Sequence, residues 1–228
     1  AREASAGDRR ALYAEACSLV PRIQSVPSRE DVEAFARQLD ADLFRYKGEL
    51  FAEHSLPDAT PAARACVREG FDFIAAIAES APQRLAHRDF QAENLRVHRG
   101  HIVMIDLQGA LLAPPEYDLV CLLRDSYVEL DTDLIETLFE YTRTELPDAP
   151  DVATARRRFD ALTLTRKGKD HARFVYAARE RGDTRYLEHL PTTVRHLHAA
   201  ARRLAPVEPR LAELCELVLS LPETPCAP

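Results

Sequence analysis

Several features that mark other protein classes are scarce or absent in this sequence. The five cysteines include no CxxC pair, so nothing indicates a zinc or dithiol redox site. The net charge is -7, which is the opposite of the basic excess that nucleic acids and anionic lipid surfaces attract. No apolar run approaches the roughly 20 residues of a membrane-spanning helix, and no signal-like segment occurs. We therefore expect a cytoplasmic protein with reduced thiols and with neither nucleic-acid nor membrane partners.

The composition that is present is typical of a globular protein. The 228 residues are 46% hydrophobic and 29% charged, which is enough apolar material for a sizeable core. This length predicts one domain or two closely packed lobes.

Apolar residues repeat at helical spacing through the first eighty residues. The first repeat, over residues 12–23, predicts a helix. Ser28 and Asp31 resemble a capping box, and the apolar stripe that follows predicts one long helix over 32–50, with a possible bend. The Thr60-Pro61 pair is a good helix start and predicts a further helix.

The apolar period changes between residues 85 and 107. Alternation in "NLRVH", a turn at Arg99-Gly100 and the β-prone run "IVMIDL" predict a short hairpin in an otherwise helical chain. Helical patterns resume at Tyr117 and continue through about 133–144, 153–166, 171–181, 191–205 and 207–221.

The stretch "HRDFQAEN" contains the residues with the clearest chemical potential. A loop followed by a hairpin could bring Asp89 and Asn94 close to Asp106, which would end the second strand. Oxygen ligands such as Asn94 and Asp106 suit Mg²⁺, and Asp89 could accept the proton of a substrate hydroxyl during phosphoryl transfer. Taken singly, these residues could equally be turn formers and a strand-end cap.

The order of these residues resembles the catalytic loop H-R-D-x-x-x-x-N of protein kinases, and "IDLQGA" stands where kinases carry the metal-binding D-F-G. Leucine and glutamine replace phenylalanine and glycine there, so the chain is closer to the aminoglycoside phosphotransferase and choline kinase superfamily. This resemblance implies ATP as phosphoryl donor, Asp89 as catalytic base, and Asn94 and Asp106 as Mg²⁺ ligands. It also implies that His87 forms structural hydrogen bonds behind the loop.

Two longer segments resemble a narrower group, the N-acetylmuramate/N-acetylglucosamine anomeric kinases. They are residues 105–130, "IDLQGALLAPPEYDLVCLLRDSYVEL", and residues 159–197. The resemblance implies phosphorylation of the anomeric hydroxyl of an amino sugar in cell-wall recycling, and that Asp118 supports the catalytic loop from the next helix. An aminoglycoside or choline-type kinase is the alternative.

Other polar residues are weaker candidates. Gln108 and Arg124 could contact substrate, although pairing of Arg124 with a neighbouring aspartate is the interpretation we favour. The basic runs at 156–158 and 166–169 are typical of a solvated helix face and a loop.

The sequence also departs from a complete kinase. Its seven glycines do not cluster, and no strand carries a lysine that could hold nucleotide phosphates. The sequence therefore predicts that residues 1–228 form a mainly helical C-terminal lobe of the protein-kinase-like fold. Its catalytic segment is at 85–110, and the β-rich N-terminal lobe is absent from these residues. Either that lobe was removed, which the initial Ala1 favours, or the chain is a natural half-kinase that binds without catalysing. In both cases we expect these residues alone to be inactive.

Overall fold

A computed structural model of the chain describes residues 6–223, which are mainly helical. In chain order the regular elements are α1 (Ala6–Gln24), α2 (Ala41–Leu50), α3 (Pro61–Glu79), β1 (Arg84–Ala86), β2 (Leu95–His98), β3 (His101–Met104), β4 (Leu111–Ala113), α4 (Tyr117–Leu123), α5 (Thr132–Glu145), α6 (Val152–Arg181), α7 (Leu190–Leu204) and α8 (Ala212–Leu219). Among residues 6–223, no helix is both long enough and apolar enough to cross a membrane.

These residues form two compact units. The first contains residues 6–39 and 79–159, and the second contains 40–78 and 160–223. The description of residues 1–228 as a single catalytic lobe therefore stays a prediction.

The first unit is built around α1, which contacts α4, α5, β1 and β3. Tyr13, Ala16, Cys17 and Val20 are buried on one face of α1, and their spacing of three and four residues is that of an amphipathic helix. This pattern confirms the helix predicted over 12–23, which extends to Gln24.

Two antiparallel strand pairs lie in the first unit. In the predicted hairpin, β2 pairs with β3, and Arg99 and Gly100 turn the chain with φ of 51° and 82°. Positive φ at both central residues matches the turn that suits the twist of a hairpin. The second pair joins β1 to β4, with Ala86 opposite Leu111, and was not predicted. Strands of three residues are too short to show an alternating pattern.

The prediction of a single helix over 32–50 is wrong. A short 3-10 turn covers Glu33–Phe35, and α2 begins only after Asp40, whose carboxylate accepts from a backbone N–H three residues later at 2.9 Å. Asp31 pairs with Arg29 at 2.7 Å instead of forming a capping box. The intervening residues are extended because they hydrogen-bond to β4, a long-range partner that the helical period does not reveal.

The second unit begins with α2 and a π-helical turn at Phe51–Ser55. The Phe51 and Phe71 rings stack with their centroids 6.0 Å apart. A Cβ on Gly48 would lie 3.1 Å from the Phe71 ring, so the small residue permits this close approach. The start of α3 is as predicted, since the Thr60 hydroxyl accepts from the Ala63 N–H at 3.2 Å.

The helices predicted at 153–166 and 171–181 are one continuous helix, α6. The basic run 166–169 lies inside this helix and is not a solvated loop, because Asp170, which is largely shielded from solvent, supplies a shared partner. The Lys167 ammonium is 2.7 Å from the Asp170 carboxylate. Although burial opposes ionisation, the surrounding cations hold the pKa of Asp170 well below its usual range.

The basic run 156–158, on the part of α6 in the first unit, is also less solvated than predicted. Arg158 is buried with its guanidinium 3.0 Å from the carboxylate of Glu116. Burial raises the pKa of Glu116 to about 7, and the Arg158 charge opposes that rise. Arg156 pairs with Glu136. Arg156 and Arg158 therefore form ion pairs within the fold.

His171 makes the stability of the second unit depend on pH. Its Nδ1 is 2.8 Å from the Ser55 hydroxyl, and burial lowers its pKa from 6.5 to about 4, with a further contribution from Arg179. The unfolded chain therefore binds a proton between pH 6.5 and 4 that the folded chain does not. This group contributes its full stability above pH 6.5 and loses it as the pH falls toward 4.

We expect this loss to reach about 3 kcal/mol, since each pKa unit is worth roughly 1.4 kcal/mol. Urea unfolding at pH 7 and at pH 4.5 should show a smaller acid destabilisation for His171→Gln than for the unchanged protein. The matched control is His98→Gln in the exposed hairpin. Equal acid destabilisation of the His171→Gln variant and the unchanged protein would contradict this assignment.

Candidate active site

The stretch 87–94 forms a tight loop between β1 and β2. The carbonyl oxygen of Asp89 accepts from the Gln91 N–H at 2.9 Å and from the Asn94 side-chain amide at 2.8 Å. Because the Asn94 amide nitrogen donates this bond, the amide oxygen is the Asn94 atom available to coordinate a cation. The half-buried Asp89 side chain takes part in neither bond.

Asp118 holds the start of this loop, from the first turn of α4. Its buried carboxylate accepts from the backbone N–H groups of His87 at 2.7 Å and Arg88 at 3.0 Å. The Arg88 carbonyl in turn accepts from the thiol of Cys121 at 3.2 Å. The structure therefore places Asp118 where a supporting role was predicted.

Asp125 holds the middle of the loop and was missed in the sequence. Its buried carboxylate accepts from the N–H of Ala92 and from that of Tyr127, both at 2.9 Å. Asp125 follows the end of α4 at Leu123, so helical periodicity does not link it to Asp118 and could not have indicated a shared task.

His87 links the loop to the residue before Asp106. Its buried ring nitrogen Nε2 is 2.9 Å from the carbonyl oxygen of Ile105. Because a carbonyl can only accept, Nε2 carries the proton in this bond. The geometry is that of the predicted hydrogen-bonding residue behind the loop.

Asp106 lies in a turn that passes close to the 87–94 loop. The Ile105 N–H donates to the Asn94 carbonyl at 3.0 Å. The prediction that the second strand ends at Asp106 is wrong, because β3 ends at Met104. A Cβ on Gly109 would lie 3.8 Å from the Asp89 carboxylate. The three residues predicted to share a site are therefore brought into one neighbourhood.

Two residues of this neighbourhood have left-handed backbones without being glycine. They are Arg88, with φ of 75°, and Asp106, with φ of 71°. Such residues cost on the order of 1–3 kcal/mol each and cluster at functional sites, where the surroundings hold them in place.

The two weaker candidates occupy different environments. The Gln108 amide donates to the Asp106 carboxylate, which places it beside the candidate metal ligand. Arg124 is buried, and its guanidinium lies 5.3 Å from the centroid of the Phe159 ring. A substrate contact stays a prediction for both residues.

The oxygen atoms of Asn94 and Asp106 fit a magnesium ion. Mg²⁺ usually binds one or two protein carboxylates and completes its shell with water and phosphate oxygens, and the exposed Asp106 leaves room for them. Within the part of the chain that the structure describes, no group of three or more His, Cys, Asp or Glu residues could form a metal site of its own.

Comparison with known proteins agrees with this arrangement. The model of the phosphotransferase enzyme family, APH, matches residues 1–162, which is more than half of the chain. The chain belongs to the phosphotransferase enzyme family.

Among relatives of this phosphotransferase chain is the N-acetylmuramate/N-acetylglucosamine kinase of Neisseria meningitidis. It is 33% identical over 144 residues, which cover 60% of the chain and 42% of the relative. The protein of the same name from Pseudomonas putida is 26% identical over 220 residues, which cover 92% of the chain and 62% of the relative. The chain thus spans roughly half the length of these relatives.

Solved structures show the same fold. The ternary complex of streptomycin, ATP and APH(2'')-IIa gives a TM-score of 0.53 at 18% identity, over 82% of this chain and 64% of that one. The ADP-bound aminoglycoside phosphotransferase APH(2'')-Ib also gives 0.53, over 84% and 66%. The predicted protein-kinase-like, mainly helical fold is confirmed. Besides the predicted hairpin, the structure contains a second, separate strand pair.

Proposed function

We propose that the protein containing this chain transfers the terminal phosphoryl group of ATP to a hydroxyl of a small molecule. The observation that carries this proposal is the placement of Asp89 and Asn94 on one loop beside the Asp106 turn. Family membership and the kinase names of the relatives support a small-molecule kinase. In this proposal residues 1–228 supply the catalytic and substrate-binding lobe.

The three residues divide two tasks, proton acceptance and metal binding. The acceptor hydroxyl oxygen bonds to the γ-phosphorus, the bond from that phosphorus to the β–γ bridging oxygen breaks, and ADP leaves with that oxygen. The hydroxyl proton passes to the Asp89 carboxylate. Asn94 and Asp106 would hold Mg²⁺, which neutralises phosphate charge when it is bound. Asp118, Asp125 and His87 keep the loop in position.

We further propose an amino sugar as the acceptor, with phosphorylation of the anomeric hydroxyl of N-acetylmuramate or N-acetylglucosamine in cell-wall recycling. The names of the relatives and the resemblance over residues 105–130 and 159–197 support this choice. An aminoglycoside or choline-type kinase is the second candidate, favoured by the shared fold. A protein that binds sugar or nucleotide without turnover is the third.

A substrate screen of the full-length protein distinguishes these candidates. We expect ADP release with N-acetylmuramate or N-acetylglucosamine and none with kanamycin or choline. The product should be a 1-phosphate, which dilute acid hydrolyses because it is an anomeric phosphate. Turnover of kanamycin or choline instead would reject the amino-sugar assignment but keep the kinase. Binding without ADP release for every acceptor would favour the non-catalytic alternative.

A further inference from the structure

An arginine outside the catalytic motifs contacts the turn that carries Asp106. Arg37 lies in the extended residues before α2, and its Nη2 donates to the carbonyl oxygens of Gln108 at 2.8 Å and Ala110 at 3.1 Å. Both carbonyls lie within four residues after Asp106. One guanidinium nitrogen therefore bridges two points of this turn, which we define as residues 105–110.

The backbone around Arg37 is itself anchored to the strand that follows the turn. The Leu112 N–H donates to the Arg37 carbonyl at 2.8 Å, and the Leu39 N–H donates to the Leu112 carbonyl at 2.8 Å. Residues 37–39 thus lie beside β4 as an added strand, bridged in parallel between Gln38 and Leu112. These backbone hydrogen bonds fix the position of the Arg37 backbone relative to the turn.

The middle of the turn has little packing to hold it, whereas Ile105 bonds to His87 and Asn94, and Ala110 is buried. Residues 105–108 are exposed, and Asp106 has a left-handed backbone that L-residues disfavour. A short internal bond, from the Ala110 N–H to the Leu107 carbonyl at 3.0 Å, closes its far end. Hydrogen bonds from a charged donor are stronger than neutral ones, so the Arg37 contacts are well suited to fix the turn.

We infer that Arg37 is a positioning residue that holds the Asp106 turn in the conformation needed to bind a divalent cation. Arg37 contacts neither the metal ligands nor the reacting atoms in this account, and it acts through the turn's backbone. The inference rests on the proposed function, because it takes Asp106 as a ligand. Groups that orient metal ligands from a distance typically change metal affinity by about 10- to 100-fold when they are removed.

The test uses the full-length protein with Arg37→Ala, Arg37→Lys and Asp106→Asn. The matched control is Arg29→Ala, since Arg29 is exposed and pairs with Asp31 nearby. Mn²⁺ is titrated with and without ADP, and its binding is followed by water-proton relaxation. Hydrogen exchange of the amides at 107–112 is measured without metal, and the melting temperature of each variant is recorded.

For Arg37→Ala we expect Mn²⁺ affinity to fall about tenfold, toward the Asp106→Asn value, and exchange at the turn to accelerate. Arg37→Lys should restore part of the affinity, because an ammonium can reach one carbonyl but lacks the guanidinium fork. Arg29→Ala should change neither quantity.

Other outcomes separate the inference from the proposed function. A lower melting temperature with unchanged Mn²⁺ affinity and unchanged exchange would make Arg37 a structural anchor and overturn the inference. If Asp106→Asn leaves Mn²⁺ affinity unchanged, the proposed metal role of Asp106 fails. In that case the role of Arg37 in cation binding fails as well, and exchange in Arg37→Ala shows only whether Arg37 holds the turn.

Discussion

Replacement of Asp89 by asparagine should lower kcat of the full-length protein by about 10²- to 10⁴-fold, the usual contribution of a general base. The substitution preserves shape and removes the carboxylate that accepts the hydroxyl proton. The loop should keep its conformation, because its bonds to Gln91 and Asn94 use the backbone carbonyl of residue 89. Steady-state kinetics at saturating MgATP and amino sugar would measure the effect.

The alternative, in which Asp89 is a turn former, predicts a different pattern. It predicts no selective loss of turnover, because asparagine forms turns as well as aspartate does. The matched control is Asp133→Asn, which removes an exposed carboxylate in the first turn of α5 and should leave kcat near its original value. Near-normal turnover of Asp89→Asn would reject its assignment as the base.

Replacement of Asp106 by asparagine should lower kcat/KM for MgATP by roughly tenfold or more. Removal of a metal ligand should lower metal affinity at least as much as removal of a group that only hydrogen-bonds to such a ligand. Excess Mg²⁺ should recover part of the activity. Asparagine tolerates the left-handed backbone found at this position, so the turn itself should survive. Initial rates at a series of free Mg²⁺ concentrations measure both effects.

The stability of Asp106→Asn should remain within about 0.5 kcal/mol of the original, because the side chain is exposed. A large drop in the free energy of unfolding would instead indicate that Asp106 is a strand-end cap. An unchanged Mg²⁺ requirement at full activity would contradict the ligand assignment.

The parts of the fold that were predictable have local causes. The period of apolar residues predicts α1, and the turn chemistry of Arg99 and Gly100 predicts the hairpin. The order of residues 87–94 predicts a catalytic loop, and the structure places Asp106 beside it. These signals lie within short stretches of chain, where spacing and backbone preference dominate.

The parts that were missed depend on contacts between distant residues. Residues 37–39 are extended because they hydrogen-bond to β4, some seventy residues away in the chain. The spacing of apolar residues over 32–50 does not indicate this distant partner. Gly168 does not break α6, and three cations of the basic run around it share the Asp170 carboxylate within the fold. The contacts of Arg37 could not be predicted for the same reason, because the carbonyl groups that it binds come near it only when the chain folds.

The separate roles of Asp89 as proton acceptor and Asp106 as metal ligand are tested most directly by one measurement. It is the affinity of the protein–ADP complex for Mn²⁺ in Asp89→Asn and Asp106→Asn, measured side by side. We expect Asp106→Asn to weaken Mn²⁺ binding by roughly tenfold or more, and Asp89→Asn to leave it within about twofold. Equal weakening in both variants, or no weakening in Asp106→Asn, would contradict the separation of proton acceptor from metal ligand on which the proposed phosphotransfer depends.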